Sequence, residues 1–259
     1  MVFSLFFTSR FLTSRFFTST IAILTITAQT SQAGFSQIKT LLQTIGTLQN
    51  DTNVNPGFRN LDQTLGSLDQ NYGCWCYLDD FHGLGKGKPI DGVDSECKTL
   101  HNNYECLILD TIEGVPDSCD ENPWNVEYEL KNTVKLISAI LDRNQKDAVE
   151  LCKESNVNDV CAQNVCIVEM IFTIRVNIAK NEFGFHIYDF GHDYGFQSEE
   201  ECKIFGENES GDKSCCGEYP TRKSFRPNAG EKGCCSGKVY SELFLECCDD
   251  GSVEMTSCD

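Results

Sequence analysis

The first 33 residues of this 259-residue sequence contain no Asp or Glu, and they contain only a short apolar run at residues 21–28. That run falls well below the ~20 apolar residues that a membrane-spanning helix needs. The segment carries two arginines and ends in Ser31-Gln32-Ala33, small residues that suit signal peptidase. We therefore expect residues 1–33 to be a cleaved signal peptide and the protein to be secreted and extracellular.

Basic residues are scarce throughout the chain. The sequence has 21 Lys and Arg against 39 Asp and Glu, so its formal net charge is −18, and loss of the two signal-peptide arginines would make it −20. Nucleic acids and anionic membranes attract basic proteins. The composition therefore argues against a nucleic-acid partner and against a basic membrane-binding patch. Divalent cations are a more natural partner for so acidic a chain.

Two motifs that define other classes of protein are missing. No two cysteines have the Cys-x2-Cys spacing of a zinc module, and no Gly-x-Ser-x-Gly sequence marks the nucleophile elbow of an α/β-hydrolase. The chain does have 16 cysteines, an even number. Behind a signal peptide, such a number is typical of a disulfide framework formed in an oxidising compartment.

The cysteines divide into two sets of eight. One set lies between Cys74 and Cys166, the other between Cys202 and Cys258, and a stretch rich in Gly, Phe and acids separates them. We expect a domain at residues 34–180, a linker at 181–201 and a cysteine-rich unit at 202–259. Each of the two units would close its own disulfides.

Hydrophobic periodicity predicts that the first of these units is helical. Apolar residues recur every three or four positions in residues 34–50, again after Pro89, over about 124–152, and over about 159–179. Asp91 or Asp94 can cap the second of these helices. The C-terminal unit consists mostly of turn-forming residues and cysteines, which favours short strands. The predicted fold is mainly α and disulfide-rich, with a small irregular or β C-terminal unit.

The segment that points to chemistry combines Tyr72-Gly73-Cys74-Trp75-Cys76 with a glycine-rich loop that ends in Pro89-Ile90-Asp91. A helix with Cys97 and His101 follows. Glycines allow backbone carbonyls to turn inward, as a hard cation requires, and a Cys76–Cys97 bridge would hold the loop against the helix. The alternative is that the glycines only form a turn and that His101 is a surface residue.

This segment resembles the secreted phospholipase A2 family, in which a similar loop runs into a helix with Asp-x-Cys-Cys-x-x-His-Asp. The resemblance extends over residues 34–179, and it implies a helical core with two long antiparallel helices. The family's second signature is Cys-x-Cys-Asp, and this chain has Cys166-Ile167-Val168-Glu169.

The resemblance implies a secreted, calcium-dependent phospholipase A2 that hydrolyses the sn-2 ester of glycerophospholipids at an aggregate or membrane surface. His101 would draw a proton from water, and Glu169 would orient its imidazole. A Ca2+ ion would stabilise the oxyanion. Its implied ligands are backbone carbonyls and polar side chains: Trp75, Tyr77, Gly83, Gly85, Asp79 and Asn102. Tyr104 and Asp91 would support the site.

The chain departs from the family in the register of this helix. His101 lies one residue farther from Cys97 than the family spacing, so the helix would have to accommodate an extra residue. An alignment without a gap instead puts Leu100 at the histidine position, which would abolish the chemistry. We favour His101, because Tyr104 and Cys106 then fall near the family's Cys-Tyr segment.

Other departures concern charge and bridges. Asn102 stands where the family has a calcium-binding aspartate, and we expect Asp79 or Asp80 to replace the missing charge. Glu96 and Arg175 occupy the positions of a missing cysteine pair, where an ion pair would be a plausible substitute. The resemblance further suggests two bridges, Cys152–Cys166 and Cys119–Cys161. Cys74 and Cys106 are then left over, with Cys74 free to reach the C-terminal unit.

The C-terminal unit contains three adjacent cysteine pairs, and its two Cys-Cys-Gly and Cys-Cys-Ser-Gly openings resemble the di-cysteine repeats of galaxin-type matrix proteins. Neighbouring cysteines bond to each other only with strain, so each should have a different partner. This unit and Asn102 favour the alternative function: a catalytically silent phospholipase A2-like protein that binds calcium or belongs to the extracellular matrix.

Overall fold

The structure is a computed structural model, and it describes residues 72–76, 85–115, 118–119, 123, 126–179, 198–203, 212–227, 230–255 and 258. The predicted signal peptide, the predicted helix at residues 34–50 and most of the predicted linker lie outside the described residues. Residues 77–84 of the predicted loop also lie outside the described residues, and they include Tyr77, Asp79, Asp80 and Gly83.

The described part of the chain is rich in helix, with small pairs of strands toward the C-terminus. Its helices are α1 (Gly92–Ile112), α2 (Thr133–Leu141), α3 (Gln145–Ser155), α4 (Val160–Ala179) and the short α5 (Ser198–Glu201). Its strands are β1 (Ser214–Cys216), β2 (Lys223–Phe225), β3 (Lys232–Cys235), β4 (Lys238–Ser241), β5 (Glu246–Cys247) and β6 (Val253–Glu254).

Helix α1 begins where the sequence provides a cap. The side chain of Asp91 accepts a hydrogen bond from the backbone N–H of Asp94, which satisfies one of the free donors of the first turn. The apolar stripe Val93, Cys97, Leu100, Tyr104 and Leu107 is buried, as its spacing predicts. This stripe faces the core of the helical unit.

Helices α1 and α4 pack side by side. The Glu96–Arg175 ion pair and the Tyr104–Glu169 hydrogen bond connect them in opposite chain order, so the two helices run antiparallel. Helix α4 is long and apolar enough to cross a membrane by composition alone, but 72% of the relevant window is buried inside the protein. It is therefore the central helix of the core.

The single helix predicted over about 124–152 is wrong. Residues 126–130 are not helical, and two helices follow, with Arg143 between them at a φ of 58°. The interruption has a local cause, because Asn132 and Asn144 each accept a hydrogen bond from the backbone N–H three residues ahead and so begin a new helix. Hydrophobic periodicity continued across these caps and concealed them.

The C-terminal unit consists of three antiparallel strand pairs. Strand β1 pairs with β2, β3 with β4 and β5 with β6, and no pair exceeds four residues in either strand. Hairpins this small bury too little surface to be stable alone. Disulfides therefore have to hold them together.

All 16 cysteines form disulfides. The bridges Cys76–Cys97, Cys119–Cys161 and Cys152–Cys166 are present. Each adjacent pair reaches two different partners, through Cys106–Cys215, Cys216–Cys234, Cys235–Cys247 and Cys248–Cys258. The expectation that each unit closes its own bridges is wrong, because Cys74–Cys202 and Cys106–Cys215 join the two units.

Side chains add to this junction between α1 and the C-terminal unit. Arg222 donates to Asp110 on α1 with an N–O distance of 2.7 Å, and the Tyr219 hydroxyl donates to the same carboxylate at 2.9 Å. Glu105, one helical turn earlier, accepts from Lys213 and Ser224. The C-terminal unit is thus fixed to one side of α1 by covalent and polar contacts.

Candidate functional site

Asp94 organises the approach of the loop to α1. Its fully buried carboxylate accepts hydrogen bonds from the backbone N–H groups of Cys74, Trp75 and Ile90, at 3.0, 2.7 and 3.0 Å. These bonds lower the pKa of Asp94, but desolvation by burial is the larger effect and raises it. The carboxylate thus holds two separate loop segments against the N-terminus of α1.

Gly73 is required at the point where the loop passes Asp94. Its φ is +64°, and a Cβ at this position would lie 2.6 Å from the carboxyl carbon of Asp94. A side chain would therefore face both an unfavourable backbone conformation and a steric clash. This glycine serves the local packing of the loop.

Trp75 fills the space beneath the glycine-rich loop. Its indole N–H donates to the carbonyl of Gly87 at 3.1 Å, and the ammonium of Lys98 lies 4.7 Å from its ring centre. A Cβ on Gly85 would come within 2.3 Å of the indole ring. Gly85 therefore allows the loop to pack on the tryptophan. This packing role is different from the calcium-ligand role that the family resemblance implies for Gly85.

Glu169 lies at the centre of a buried polar network. It has no exposed surface, and its two carboxylate oxygens accept one hydrogen bond each from the hydroxyls of Tyr104 and Tyr128. Burial raises the pKa of Glu169 to about 7, although the two hydrogen bonds oppose this shift. Burial also raises the pKa of both tyrosines, so they remain neutral donors.

Tyr128 is the member of this network that sequence reasoning missed. It lies in the non-helical segment 126–130, over which hydrophobic periodicity predicts a helix. Its partner is 41 residues away in sequence, and no short motif marks it. A signal that could have found it is the pair Asn132 and Asn144, whose capping preference would have ended the predicted helix.

His101 lies beside the loop. It is 7% exposed, and its ring centre is 6.0 Å from that of Trp75, with the two planes tilted by 59°. Its neighbour Leu100 is 1% exposed and belongs to the apolar core. Because residues three and four apart share a helix face, both Leu100 and His101 lie on the side of α1 that carries Tyr104, the residue that donates to Glu169.

The structure thus brings together some of the predicted site residues. Asp91 caps α1 and accepts a hydrogen bond from the hydroxyl of Tyr72. Trp75 packs against Gly85, and His101 lies next to Trp75. Glu169 and Tyr104 form a separate contact deeper in the core. Asn102 is half-buried on α1. Tyr77, Asp79 and Gly83 lie outside the described residues.

The described residues include three of the six predicted calcium ligands: Trp75, Gly85 and Asn102. Within the part of the chain that the structure describes, no group of three His, Cys, Asp or Glu side chains could hold a metal. Asp94 is committed to three backbone N–H groups. Of the two predicted side-chain ligands, Asp79 lies outside the described residues, and Asn102 offers a single neutral oxygen. Calcium prefers six to eight oxygens, several of them charged.

Comparison with known proteins adds no relative to this description. No protein-family model, curated protein or solved structure matches the chain. Fold and function therefore have to be argued from the chain's own residues.

Proposed function

We propose that this chain is a secreted, phospholipase A2-like protein of the extracellular matrix that does not hydrolyse phospholipid. The observation that carries the proposal is that both carboxylate oxygens of Glu169 accept from tyrosine hydroxyls, those of Tyr104 and Tyr128. An acid that orients a catalytic imidazole must lie within hydrogen-bonding reach of it. On α1 this contact to Glu169 is made by Tyr104, four residues after Leu100.

The continuity of α1 supports this proposal. The alternative with His101 as the base needs one extra residue inside the helix, which would appear as a bulge or a change of pitch. Helix α1 runs from Gly92 to Ile112 without interruption. Without the extra residue, the alignment is the one that puts Leu100 at the histidine position.

The surroundings of the loop support it as well. The oxyanion of ester hydrolysis needs a cation or aligned donors, whereas here Trp75 and Asp94 use the loop's glycines and backbone N–H groups for packing. The eight disulfides, two of which join the C-terminal unit to the helical unit, are typical of extracellular proteins. A rigid, stapled body suits a matrix role.

A second candidate, the calcium-dependent phospholipase A2 itself, is favoured by one observation. Glu169 is a buried acid whose pKa is raised to about 7. Its carboxylate accepts hydrogen bonds from Tyr104 on α1 and from Tyr128 in the segment before α2. Strongly shifted acids of this kind are concentrated at catalytic sites. His101, buried on α1, would then be the base.

One assay separates the two candidates. The full sequence is expressed through a secretory host, checked for folding by circular dichroism, and tested for fatty-acid release from phosphatidylcholine vesicles with millimolar calcium or with chelator. We expect no release above the background given by His101→Gln, while an active secreted phospholipase A2 on the same vesicles reports that the assay works. Calcium-dependent release that His101→Gln abolishes would overturn the proposal in favour of the enzyme.

A further inference from the structure

An exposed apolar tip is present at one end of the last hairpin. Leu243 and Phe244, in the turn before β5, are 61% and 71% exposed, and Met255, directly after β6, is 81% exposed. The ladder pairs Glu246 with Glu254, so the residues that precede β5 and follow β6 lie at the same end. Single exposed apolar residues are common, but three large ones grouped together need an explanation.

The backbone that carries this tip is rigid. The backbone N–H groups of Phe244 and Leu245 both donate to the carbonyl of Ser241, which closes a tight turn. The bridges Cys235–Cys247 and Cys248–Cys258 fix both strands of the hairpin. A surface that is already ordered loses little conformational entropy when a partner binds.

Carboxylates outnumber cations around the tip, where the nearest lysine in the ladder is Lys232, paired with Ser241. Between residues 239 and 259 the chain has six Asp and Glu and no Lys or Arg. Three of them flank the apolar residues directly: Glu242, Glu246 and Glu254, all exposed. Glu246 and Glu254 are directly opposite each other across the β5–β6 ladder, an arrangement of like charges that destabilises a hairpin.

We propose that this acidic-apolar tip, formed by Leu243, Phe244 and Met255 with Glu242, Glu246 and Glu254, docks onto a basic protein surface that offers an apolar pocket. The apolar side chains would be the buried anchors, and the carboxylates the complementary rim. Cationic groups of the partner would relieve the repulsion between Glu246 and Glu254. This inference does not depend on whether the chain hydrolyses phospholipid.

Charge argues against two other occupants of the tip. An anionic bilayer would repel the carboxylates, and a second copy of the tip would bring two acidic rims together. A basic partner gains from both the apolar and the charged parts of the surface. The association should also weaken as salt rises, because the rim is exposed.

The test uses the full secreted chain and a synthetic amphipathic peptide of alternating lysine and leucine as the probe, immobilised on a sensor surface. A peptide of lysine alone reports the contribution of charge. We expect the alternating peptide to bind at least tenfold more tightly, and Leu243→Ser with Phe244→Ser to abolish that difference. Glu246→Gln with Glu254→Gln should weaken binding and reduce its salt dependence.

A matched control removes two equally exposed apolar side chains elsewhere. Ile112 and Val134 are 74% and 59% exposed on α1 and α2, and their replacement by serine should leave binding unchanged. The proposal would be overturned if the control variant lost as much binding to the alternating peptide as the Leu243→Ser, Phe244→Ser variant does. It would also be overturned if the unaltered chain bound the two peptides equally tightly. Tight binding to phosphatidylcholine vesicles that requires Phe244, or self-association lost in the tip variant, would overturn it in favour of a membrane or a second copy.

Discussion

The buried position of Glu169 predicts that the protein becomes less stable as pH rises through the neutral range. Below about pH 4.5 the acid is protonated in both the folded and the unfolded chain. Between 4.5 and about 7 the unfolded chain loses the proton while the folded protein keeps it, because burial raises the pKa of Glu169 in the folded state. Raising the pH across this interval therefore favours unfolding, and above about pH 7 the loss is complete.

The size of the effect follows from the shift. The interval from 4.5 to about 7 corresponds to a free energy of unfolding on the order of 3 kcal/mol, at about 1.4 kcal/mol per pH unit. Glu169 has no exposed surface, so solvent does not screen this contribution. A change of that size would be a large part of the stability of an ordinary domain.

The assay is urea denaturation at a series of pH values with the disulfides intact, for the unaltered protein and for Glu169→Gln. The glutamine cannot ionise, so the difference between the two proteins should change by about 2.5 kcal/mol between pH 5 and pH 8. Glu129→Gln, at an exposed ion pair with Lys131, is the matched control and should follow the unaltered protein. A constant difference between the unaltered protein and Glu169→Gln would refute the reasoning.

Two further predictions concern contacts that hold the loop and the C-terminal unit to α1. Asp94→Ala removes the acceptor of three backbone N–H groups and should lower the free energy of unfolding by about 3 kcal/mol, whereas Asp147→Ala on exposed α3 surface should lower it by less than about 1 kcal/mol. Arg222→Met leaves Asp110 with only the tyrosine donor and should lower it by about 1–3 kcal/mol. In this variant, amide hydrogen exchange should speed up more in β1 and β2 than in β5 and β6. An equal increase in both hairpins would contradict a role for the Arg222–Asp110 contact in holding β1 and β2 to α1.

The parts of the fold that could be predicted from the sequence are those set by local chemistry. The start of α1 follows from the capping preference of Asp91, and its buried face from the spacing of Val93, Cys97 and Leu100. Both features depend on residues within a few positions of one another. The ion pair of Glu96 and Arg175 joins two helices and was expected only from the family resemblance; its nitrogen and oxygen atoms lie 3.7 Å apart.

The features that could not be predicted depend on long-range contacts. The Tyr128–Glu169 hydrogen bond and the Arg222–Asp110 ion pair join residues 41 and 112 positions apart, and no periodic pattern marks them. The connectivity of 16 cysteines is likewise not encoded in their spacing. Cys106 was left without a partner for this reason, although its bridge to Cys215 connects the two units.

The choice between His101 and Leu100 shows how helix geometry goes beyond motif matching. Matching the cysteine and tyrosine of a motif allows a gap of one residue, whereas a continuous helix rotates by about 100° for each residue inserted. Leu100 packs in the apolar core, whereas the ring centre of His101 lies 6.0 Å from that of Trp75.

The disulfides explain how the fold tolerates its buried acid. Cys106–Cys215 joins residues 109 positions apart, but Cys74–Cys202 already shortens the loop that it closes, so the chain-entropy account gives a stabilisation of about 4 kcal/mol. That exceeds the roughly 3 kcal/mol by which an ionised Glu169 destabilises it at neutral pH. Removing this bridge with Cys106→Ala and Cys215→Ala should lower the free energy of unfolding at every pH, so that the destabilisation by Glu169 between pH 5 and pH 8 produces a larger fall in the folded fraction than in the unaltered protein. The same pair of substitutions in Glu169→Gln should abolish that dependence, which separates the effect of the acid from general loss of stability.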